Sequence, residues 1–281
     1  MNAEKVTQLK LHAANVRKMA LEAVYSAGSG HPGGSLSIAD ILTYLYMEKM
    51  NIDPANPKME DRDRFVLSKG HCSPALYGIL AERGFIPKED IKTFRHAESY
   101  LQGHPDMKGV PGVDMSTGSL GQGISTACGM AKCAKMDGKN YRVYVALGDG
   151  ESEEGQVWEA AMFAGHYKLN NLTVFLDFNG LQIDGDITKV MNPTPFDKKF
   201  EAFGWEVVTI GAHDFAQIED AVAMSEKSDK PTLILAHSVK GKGVSFMENE
   251  AGWHGAAPNQ EQYEQAIAEL DAYIKEIGGE A

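Results

Sequence analysis

The stretch "YRVYVALGDGESEEG", residues 141–155, joins a strand-like run to a helical pattern. A nearly continuous apolar run ends at a Gly-Asp-Gly turn, and four acids (Asp149, Glu151, Glu153 and Glu154) then crowd into six positions before a helical pattern begins. Such a run is typical of a strand buried on both faces of a parallel sheet. A helix N-terminus favours acidic side chains, but that preference explains only part of this density. The stretch therefore predicts a strand, a tight turn and a helix, with chemistry at the turn.

Outward from this stretch, short β-rich runs alternate with helical patterns. The predicted strands are 64–68, 141–147, 172–178, 206–210 and 232–237. The predicted helices are roughly 5–25, 37–48, 73–83, 120–136, 155–168, 214–226 and 260–277. This alternation indicates an α/β fold: a doubly wound, mainly parallel sheet with helices on both faces and ligands at the carboxyl ends of the strands. With no repeat or linker visible, we expect one domain over residues 1–281.

The composition is that of an ordinary soluble enzyme, with 43% hydrophobic and 23% charged residues. The net charge of −12 argues against nucleic acid or a membrane surface as a partner. No apolar stretch approaches the ~20 residues of a membrane span. The beginning of the chain lacks the apolar core of a signal peptide, so a cytoplasmic location is expected. Three cysteines, Cys72, Cys128 and Cys133, are predicted to be packing residues.

Oxygen ligands follow two neighbouring strands of the predicted sheet. Asp149 comes at the end of one strand, and Asn179 ends the next run, "LTVFLDFNG". The helix after Asp149 offers free N–H groups to a phosphate. An Asp, an Asn carbonyl, one backbone carbonyl and diphosphate oxygens would fill most of an octahedral Mg²⁺ shell. The alternative is a plain Asp-Gly turn. Glu151 and Glu153 are interpreted as helix-end charges that face water.

Four histidines stand in glycine-flanked loops. His31 and His104 both lie in Gly-His-Pro sequences, His71 lies in "SKGHCSPALY", and His254 lies in "GWHGAAP". A single loop histidine is usually a surface group, but loops at strand ends are where α/β folds keep their chemistry. Neutral imidazoles can donate hydrogen bonds and move protons near pH 7.

Two glycine-rich loops complete the set of candidate binding segments. "TGSLGQGIS" (117–125) would allow its backbone to approach a flat ligand closely. "SVKGKG" (238–243) places Lys240 and Lys242 among glycines, either as a solvated basic turn or as a lysine at an anion site.

The predicted terminal helix, 260–277, has an apolar stripe formed by Tyr263, Ile267, Leu270, Ile274 and Ile277. The helix either docks on its own domain or packs against another chain.

Taken together, these segments resemble transketolase. The pair "GDG" (148–150) and "DFNG" (177–180) resembles the thiamine diphosphate motif, and "SGHPGGS", "LSKGHCSPALY", "GHPDM", "STGSLGQGIS", "AFGWEV", "VKGKGVSF" and "GWHG" occur in the order of that family. The resemblance spans roughly residues 10 to 258 and is specific as a set. The Gly-Asp-Gly and Asn motif alone would admit every thiamine diphosphate enzyme; the two Gly-His-Pro loops and "SKGH" favour transketolase.

The resemblance implies a role for each matching position. Mg²⁺, with Ca²⁺ or Mn²⁺ as substitutes, would be held by Asp149, Asn179 and the carbonyl of Leu181. Thiamine diphosphate would be contacted by His71, Gly118, Ser119, Leu120, Gly150, Asn179, Lys240 and His254. The catalytic histidines would be His31, His104 and His254, facing the reacting carbon and the sugar hydroxyls. Glu154 matches an acid near the contact between chains.

The family's activating glutamate and pyrimidine pocket belong to a second domain that this sequence does not include. The resemblance therefore implies the N-terminal subunit of a split transketolase. We expect a C-terminal, pyrimidine-binding partner, two copies of each chain as a heterotetramer, and sugar phosphate substrates of the pentose phosphate pathway. The assembled enzyme would transfer a two-carbon glycolaldehyde unit from a ketose phosphate to an aldose phosphate. The helix 260–277 and the segment from Glu154 to Trp158 are the expected parts of the partner surface.

Two alternatives remain within the cofactor class: a transketolase-like enzyme for an unusual sugar, and an enzyme resembling deoxyxylulose phosphate synthase. A non-catalytic protein that kept the fold is disfavoured because Asp149 and Asn179 are both present.

Overall fold

In the computed structural model, which describes residues 1–278, a parallel sheet carries helices on both faces. Its five strands run in the spatial order β1-β2-β3-β7-β6. A short antiparallel hairpin, β4–β5, lies apart from this sheet. The strands are β1 (Arg64–Leu67), β2 (Val143–Gly148), β3 (Leu172–Phe178), β4 (Leu181–Gln182), β5 (Gly185–Asp186), β6 (Glu206–Gly211) and β7 (Thr232–His237). All five predicted strands are thus confirmed, and the fold class with them.

The helices include every one that the sequence predicted, together with two short ones. They are α1 (Ala3–Ala27), α2 (Pro32–Tyr44), α3 (Ser73–Arg83), α4 (Gln122–Met136), α5 (Gly155–His166), α6 (Ile187–Val190), α7 (Phe196–Ala202), α8 (Phe215–Lys227) and α9 (Gln260–Glu276). The prediction for α2 began five residues late, at 37. Two glycines obscured its first turn, where Pro32 supplies a proline at the start of the helix.

Two apolar cores lie on opposite faces of the sheet, because successive side chains of a strand point to opposite sides. Phe65, Tyr144 and Phe175 pack against α1, α2, α3 and α8. Val66, Val145 and Val174 pack against α4, α5 and α7. Strands buried on both faces explain why they appear in the sequence as continuous apolar runs.

The sheet order brings the functional loops together. The strands β1, β2, β3 and β7 are neighbours, and all are parallel. Their carboxyl ends therefore meet at one edge, which presents His71, Asp149, Asn179 and Lys240 from four successive loops.

The terminal helix α9 packs on its own domain. Tyr263 stacks on Tyr25 of α1 with ring centroids 4.2 Å apart, and Leu270 and Ile274 are buried. A capping box formed by Asn259 and Gln262 begins the helix. Docking of this apolar stripe on the domain is confirmed because α1 covers it, and the contribution of the helix to a partner surface stays a prediction.

Cys72 and Cys128 are buried packing residues, as predicted. The same prediction is wrong for Cys133, which is exposed because it lies on the outward side of α4. Among residues 1–278, no helix is both long and apolar enough to cross a bilayer. The cytoplasmic location stays a prediction.

Candidate active site

A cavity of about 490 Å³ opens at the carboxyl edge of the sheet, within the size range of small-molecule sites. Most of the residues singled out in the sequence line it: His31, His71, Gly118, Leu120, Asp149, Gly150, Glu154, Asn179, Leu181, Lys240 and His254. Ser119 and His104 do not line the cavity itself. The His104 ring lies directly behind Gly118, 2.9 Å from where a Cβ of that residue would stand.

Asp149 is a buried carboxylate, only 4% exposed. Its oxygens accept hydrogen bonds from the backbone N–H groups of Gly150 (2.8 Å) and Gly180 (2.6 Å). Burial, with a further contribution from nearby Asp177, raises the pKa of Asp149 to about 6. A carboxylate in this environment gains from a cation that offsets its charge.

The other predicted metal ligands lie beside Asp149. The Asn179 side-chain oxygen accepts from the Leu181 N–H at 3.1 Å, which fixes the turn after β3. The Leu181 carbonyl faces the same cavity and accepts from Lys240 Nζ at 3.2 Å. The oxygen ligands offered to a metal are thus one carboxylate, one amide oxygen and one backbone carbonyl, a set that suits Mg²⁺ or another hard cation. Within the described residues no group of three His, Cys, Asp or Glu side chains forms a metal site.

Three histidines surround the inner part of the cavity. The centroids of the His31 and His71 rings are 5.1 Å apart, those of His71 and His254 are 5.1 Å apart, and those of His31 and His254 are 5.6 Å apart. Lys240 Nζ lies 3.1 Å from His254 Nδ1, which must be unprotonated to accept from the ammonium. His31 Nδ1 is buried and has no hydrogen-bond partner in residues 1–278, as expected of a group that meets a ligand.

The cluster keeps its imidazoles neutral. Burial first, and the cation Arg95 second, lower the pKa of His31 to about 4. Burial and Lys240 lower the pKa of His254 to about 3, and burial and Lys69 hold that of His71 well below its usual range. Neutral imidazoles at pH 7 can donate and accept hydrogen bonds.

The two lysines of the "SVKGKG" loop behave differently. Lys240 is only 2% exposed, and burial lowers its pKa. Lys242 pairs with Glu248 at 3.1 Å near the surface. The solvated-turn interpretation therefore suits Lys242, and the anion-site interpretation suits Lys240.

The interpretation of Glu151 as a water-facing helix charge is wrong. The side chain is 3% exposed and accepts from Ser68 Oγ (2.6 Å), Gly121 N (2.9 Å) and Gly148 N (2.9 Å). Burial raises its pKa. Glu151 thereby ties the turn after β2 to β1 and to the start of α4. Glu153 is half-buried and lines the cavity, and its Oε1 is buried without a hydrogen-bond partner among residues 1–278, so the interpretation of a side chain that simply faces water does not hold for it either.

Sequence reasoning also missed a buried ion pair under the cavity. Lys69 Nζ contacts Asp177 and donates to the Gly34 carbonyl at 2.9 Å. Asp177 also accepts from Ser37 Oγ at 2.6 Å, so its charge is fully paired. Burial favours the neutral carboxyl, yet the Lys69 ammonium holds the pKa of Asp177 below its ordinary value. The signal in the sequence was an aspartate within the apolar run of β3, where an unpaired charge would be costly.

Arg95 is a second residue that the sequence analysis did not single out. Its side chain lies against Gly103, beside His104, and its NH1 group donates to Ser29 Oγ at 3.1 Å. It thus spans the two Gly-His-Pro loops. Burial is the main cause that lowers the pKa of His104, and the positive charge of Arg95 lowers it further.

Comparison with known proteins identifies the family of this chain. The family model described as "Transketolase, thiamine diphosphate binding domain" matches residues 9–272. The chain is 47% identical to the 6-deoxy-6-sulfo-D-fructose transketolase subunit of Clostridium sp. strain MSTE9, over 92% of this chain and 95% of that protein. It is 43% identical to a subunit of the apulose-4-phosphate transketolase of Phocaeicola vulgatus, over 97% of both chains.

Full-length transketolases match over part of their length. The rat enzyme is 39% identical over 97% of this chain and 43% of its own. The crystal structure of transketolase from Campylobacter jejuni superposes with a TM-score of 0.90 at 35% identity, over 100% of this chain and 44% of that one. The chain therefore belongs to the transketolase family, as a member of its N-terminal, thiamine diphosphate-binding domain.

Proposed function

We propose that the cavity at the carboxyl edge of the sheet binds the diphosphate of thiamine diphosphate through a Mg²⁺ ion, and that a second chain completes the active site. The observation that carries this proposal is the convergence of Asp149, Asn179, the Leu181 carbonyl and Lys240 on one cavity. When bound, thiamine diphosphate supplies the electron sink for cleavage of a carbon–carbon bond next to a ketose carbonyl.

The cation would be ligated by the oxygens of Asp149, Asn179 and Leu181, and Lys240 would meet the diphosphate end. The buried Asp149 carboxylate needs a positive partner, and the amide and carbonyl oxygens add ligands without further charge. By the resemblance to transketolase, Gly118, Ser119 and Leu120 would lie along the aminopyrimidine side of the cofactor.

Three of the histidines would contact the sugar substrate. His31 and His254 are neutral, half-buried and within 5.6 Å of each other by ring centroids. His104 is more exposed and lies behind Gly118, on the outer side of the cluster. These three side chains would bind hydroxyls of the donor and move protons during transfer of the two-carbon unit. His71 would bind a diphosphate oxygen.

The partner would be a pyrimidine-binding chain, with two copies of each in the assembled enzyme. Support comes from the relatives named as transketolase subunits, which match this chain over nearly their whole length. Closed two-fold assemblies are the commonest arrangement among soluble oligomers. Glu154, exposed at the cavity mouth, would lie at the contact between chains.

The donor and acceptor would be sugar phosphates of the pentose phosphate pathway. A second candidate is an unusual sugar, favoured by the names of the relatives, which refer to 6-deoxy-6-sulfo-D-fructose and apulose 4-phosphate. The donor's distal end would be recognised largely by the partner chain.

The test is a transketolase assay on this chain with and without the product of the neighbouring gene. Xylulose 5-phosphate, 6-deoxy-6-sulfofructose and apulose 4-phosphate serve as alternative donors, with ribose 5-phosphate as acceptor. We expect turnover only from the mixture, and only with both thiamine diphosphate and Mg²⁺. Full turnover by the pure single chain would overturn the two-chain proposal, and the preferred donor decides between the two substrate classes.

A further inference from the structure

His213 lies outside the cavity, in the loop between β6 and α8, but it contacts the loop that carries Lys240. Its Nδ1 lies 2.6 Å from Asp40 Oδ2, and its Nε2 accepts the backbone N–H of Val239 at 3.0 Å. Val239 is the residue immediately before Lys240. The imidazole therefore bridges a buried carboxylate of α2 and the backbone of the β7 loop.

The hydrogen-bond partners fix the protonation state of the ring. A backbone N–H can only donate, so Nε2 must carry a lone pair, and the hydrogen of a neutral imidazole must be on Nδ1. Asp40 is ionised and able to accept it: although burial opposes ionisation, Arg17 and His213 hold the pKa of Asp40 at about 2. Arg17 NH1 donates to the other oxygen of Asp40 at 3.2 Å, which fixes the carboxylate in place.

Hydrogen bonds of the two neighbouring residues, Val239 and Gly241, fix the backbone at Lys240. On one side is the bond from Val239 to His213; on the other, Gly241 N donates to the Gly33 carbonyl at 3.0 Å. Between these anchors the Lys240 side chain passes Gly33, where a Cβ would stand 3.0 Å from Lys240 Cγ. Its ammonium then reaches Leu181 O at 3.2 Å and His254 Nδ1 at 3.1 Å. A displacement of the Val239 amide would be transmitted to the ammonium.

We propose that His213 is a positioning residue for Lys240: as a neutral imidazole held by Asp40, it fixes the Val239 amide and thereby sets where the Lys240 ammonium meets the cofactor's diphosphate. This inference rests on the proposed function only for the identity of the ligand. Partners that orient a metal-ligating side chain commonly change metal affinity 10- to 100-fold when removed, and we expect an effect of that order on the affinity for the diphosphate here.

Two amide variants separate positioning from general stability. In His213→Gln the side-chain oxygen reaches the place of Nε2 and can accept from Val239, whereas in His213→Asn the shorter amide reaches only Asp40. We expect thiamine diphosphate affinity of the assembled enzyme to remain within about threefold for the Gln variant and to fall about tenfold or more for the Asn variant. His213→Ala should resemble Asn, and the exposed His96→Ala serves as the control. Thermal midpoints of all variants are measured alongside.

A second readout does not depend on the enzyme being loaded. Nitrogen NMR of the parent chain should show His213 with hydrogen on Nδ1 and none on Nε2, and the Val239 amide should be protected from hydrogen exchange in the parent and the Gln variant but not in the Asn variant. A parent enzyme that does not bind thiamine diphosphate would contradict the proposed function, while the tautomer and the exchange pattern would still decide the role of His213. Equal cofactor affinity for Gln, Asn and Ala, or hydrogen on Nε2, would overturn the inference.

Discussion

At the scale of single residues, burial controls the chemistry. Asp149, Lys240 and the histidines around the cavity are ordinary side chains, and their removal from water shifts each pKa in the direction of the neutral form. A cation beside Asp149 would lower the pKa of that carboxyl again. A substitution of Asp149 is therefore the most direct test of the proposed metal site.

Asp149→Ala should abolish Mg²⁺-dependent binding of thiamine diphosphate by the assembled enzyme. The substitution removes the only carboxylate of the proposed ligand set, and the amide and carbonyl oxygens that remain do not offset the charge of the ion. Isothermal titration calorimetry measures the affinity, with the exposed Asp220→Ala as matched control. Unchanged affinity in the Asp149 variant would place the metal elsewhere.

Replacement of His31, His104 or His254 by Ala should lower kcat more than it weakens cofactor binding. A well-placed acid or base contributes on the order of 10²–10⁴-fold in rate. His254 also contacts Lys240, so its variant should lose cofactor affinity as well. Steady-state kinetics with varied cofactor measures both effects. Rates within twofold of the parent for all three variants would show that these histidines take no part in catalysis.

Arg95→Met should raise the pKa of His31 and of His104 toward the ordinary value of 6.5, because Arg95 is the cation with the largest effect on both rings. In the parent, burial and Arg95 lower the pKa of His31 to about 4 in the folded chain, against about 6.5 in the unfolded chain. The unfolded chain therefore binds more protons between these values, and stability falls as the pH drops through that window. The variant should lose less stability there. Proton NMR titration of both rings measures the shift, with Lys108→Met as control, and unmoved titration curves would contradict the assignment.

At the scale of elements, prediction succeeded where a segment's own pattern is sufficient. The strands β2 and β3 are buried on both faces, so their apolar runs identified them without knowledge of their neighbours. The hairpin β4–β5 has strands of two residues each, too short for any periodicity, and α7 has only seven residues. Both were missed for that reason.

The candidate site could likewise be predicted only in part. The turns after β2 and β3 could be predicted because each strand end is visible in the sequence and parallel strands share one carboxyl edge. The burial of Glu151 could not, since its partner Ser68 is 83 positions away, and the pair of Lys69 and Asp177 joins residues 108 positions apart. Such contacts depend on the sheet order, which no local pattern contains.

The element α9 offers a test of intramolecular docking. Leu270 is 1% exposed in the cluster between α9, α1 and the loop after β7. Leu270→Ala should lower the free energy of unfolding by about 2–5 kcal/mol through lost burial and a cavity. Urea denaturation measures this, with the exposed Glu264→Ala on the same helix as control. If the variant instead kept its stability and lost affinity for the partner chain, α9 would belong to the interface after all.

At the scale of the whole molecule, apolar surface remains exposed on the side opposite to α1 and α9. On α5, Met162 and Phe163 are 56% and 39% exposed, and Tyr167, which follows the helix, is 43% exposed. A shallow groove of about 310 Å³ lies between α4 and α5, beside Phe163. Of the segment from Glu154 to Trp158, which the sequence assigned to the partner surface, Glu154 is exposed at the start of the same helix, whereas Trp158 packs against Phe200 of α7 with ring centroids 5.4 Å apart. Contiguous apolar surface of this kind usually marks an interaction site.

Phe163→Glu should therefore weaken assembly with the partner chain. A buried aromatic anchor typically accounts for about 2 kcal/mol or more of association free energy, and a charge in its place adds the cost of desolvation. Light scattering of the mixed chains, and activity as a function of partner concentration, measure the loss. The control is Ala216→Glu on α8, which introduces the same charge on the other face of the sheet. We expect the Phe163 variant to keep its fold and to recover activity at high partner concentration, since its cavity residues are unchanged. An activation curve that coincides with the parent's would remove this face of α5 from the assembly.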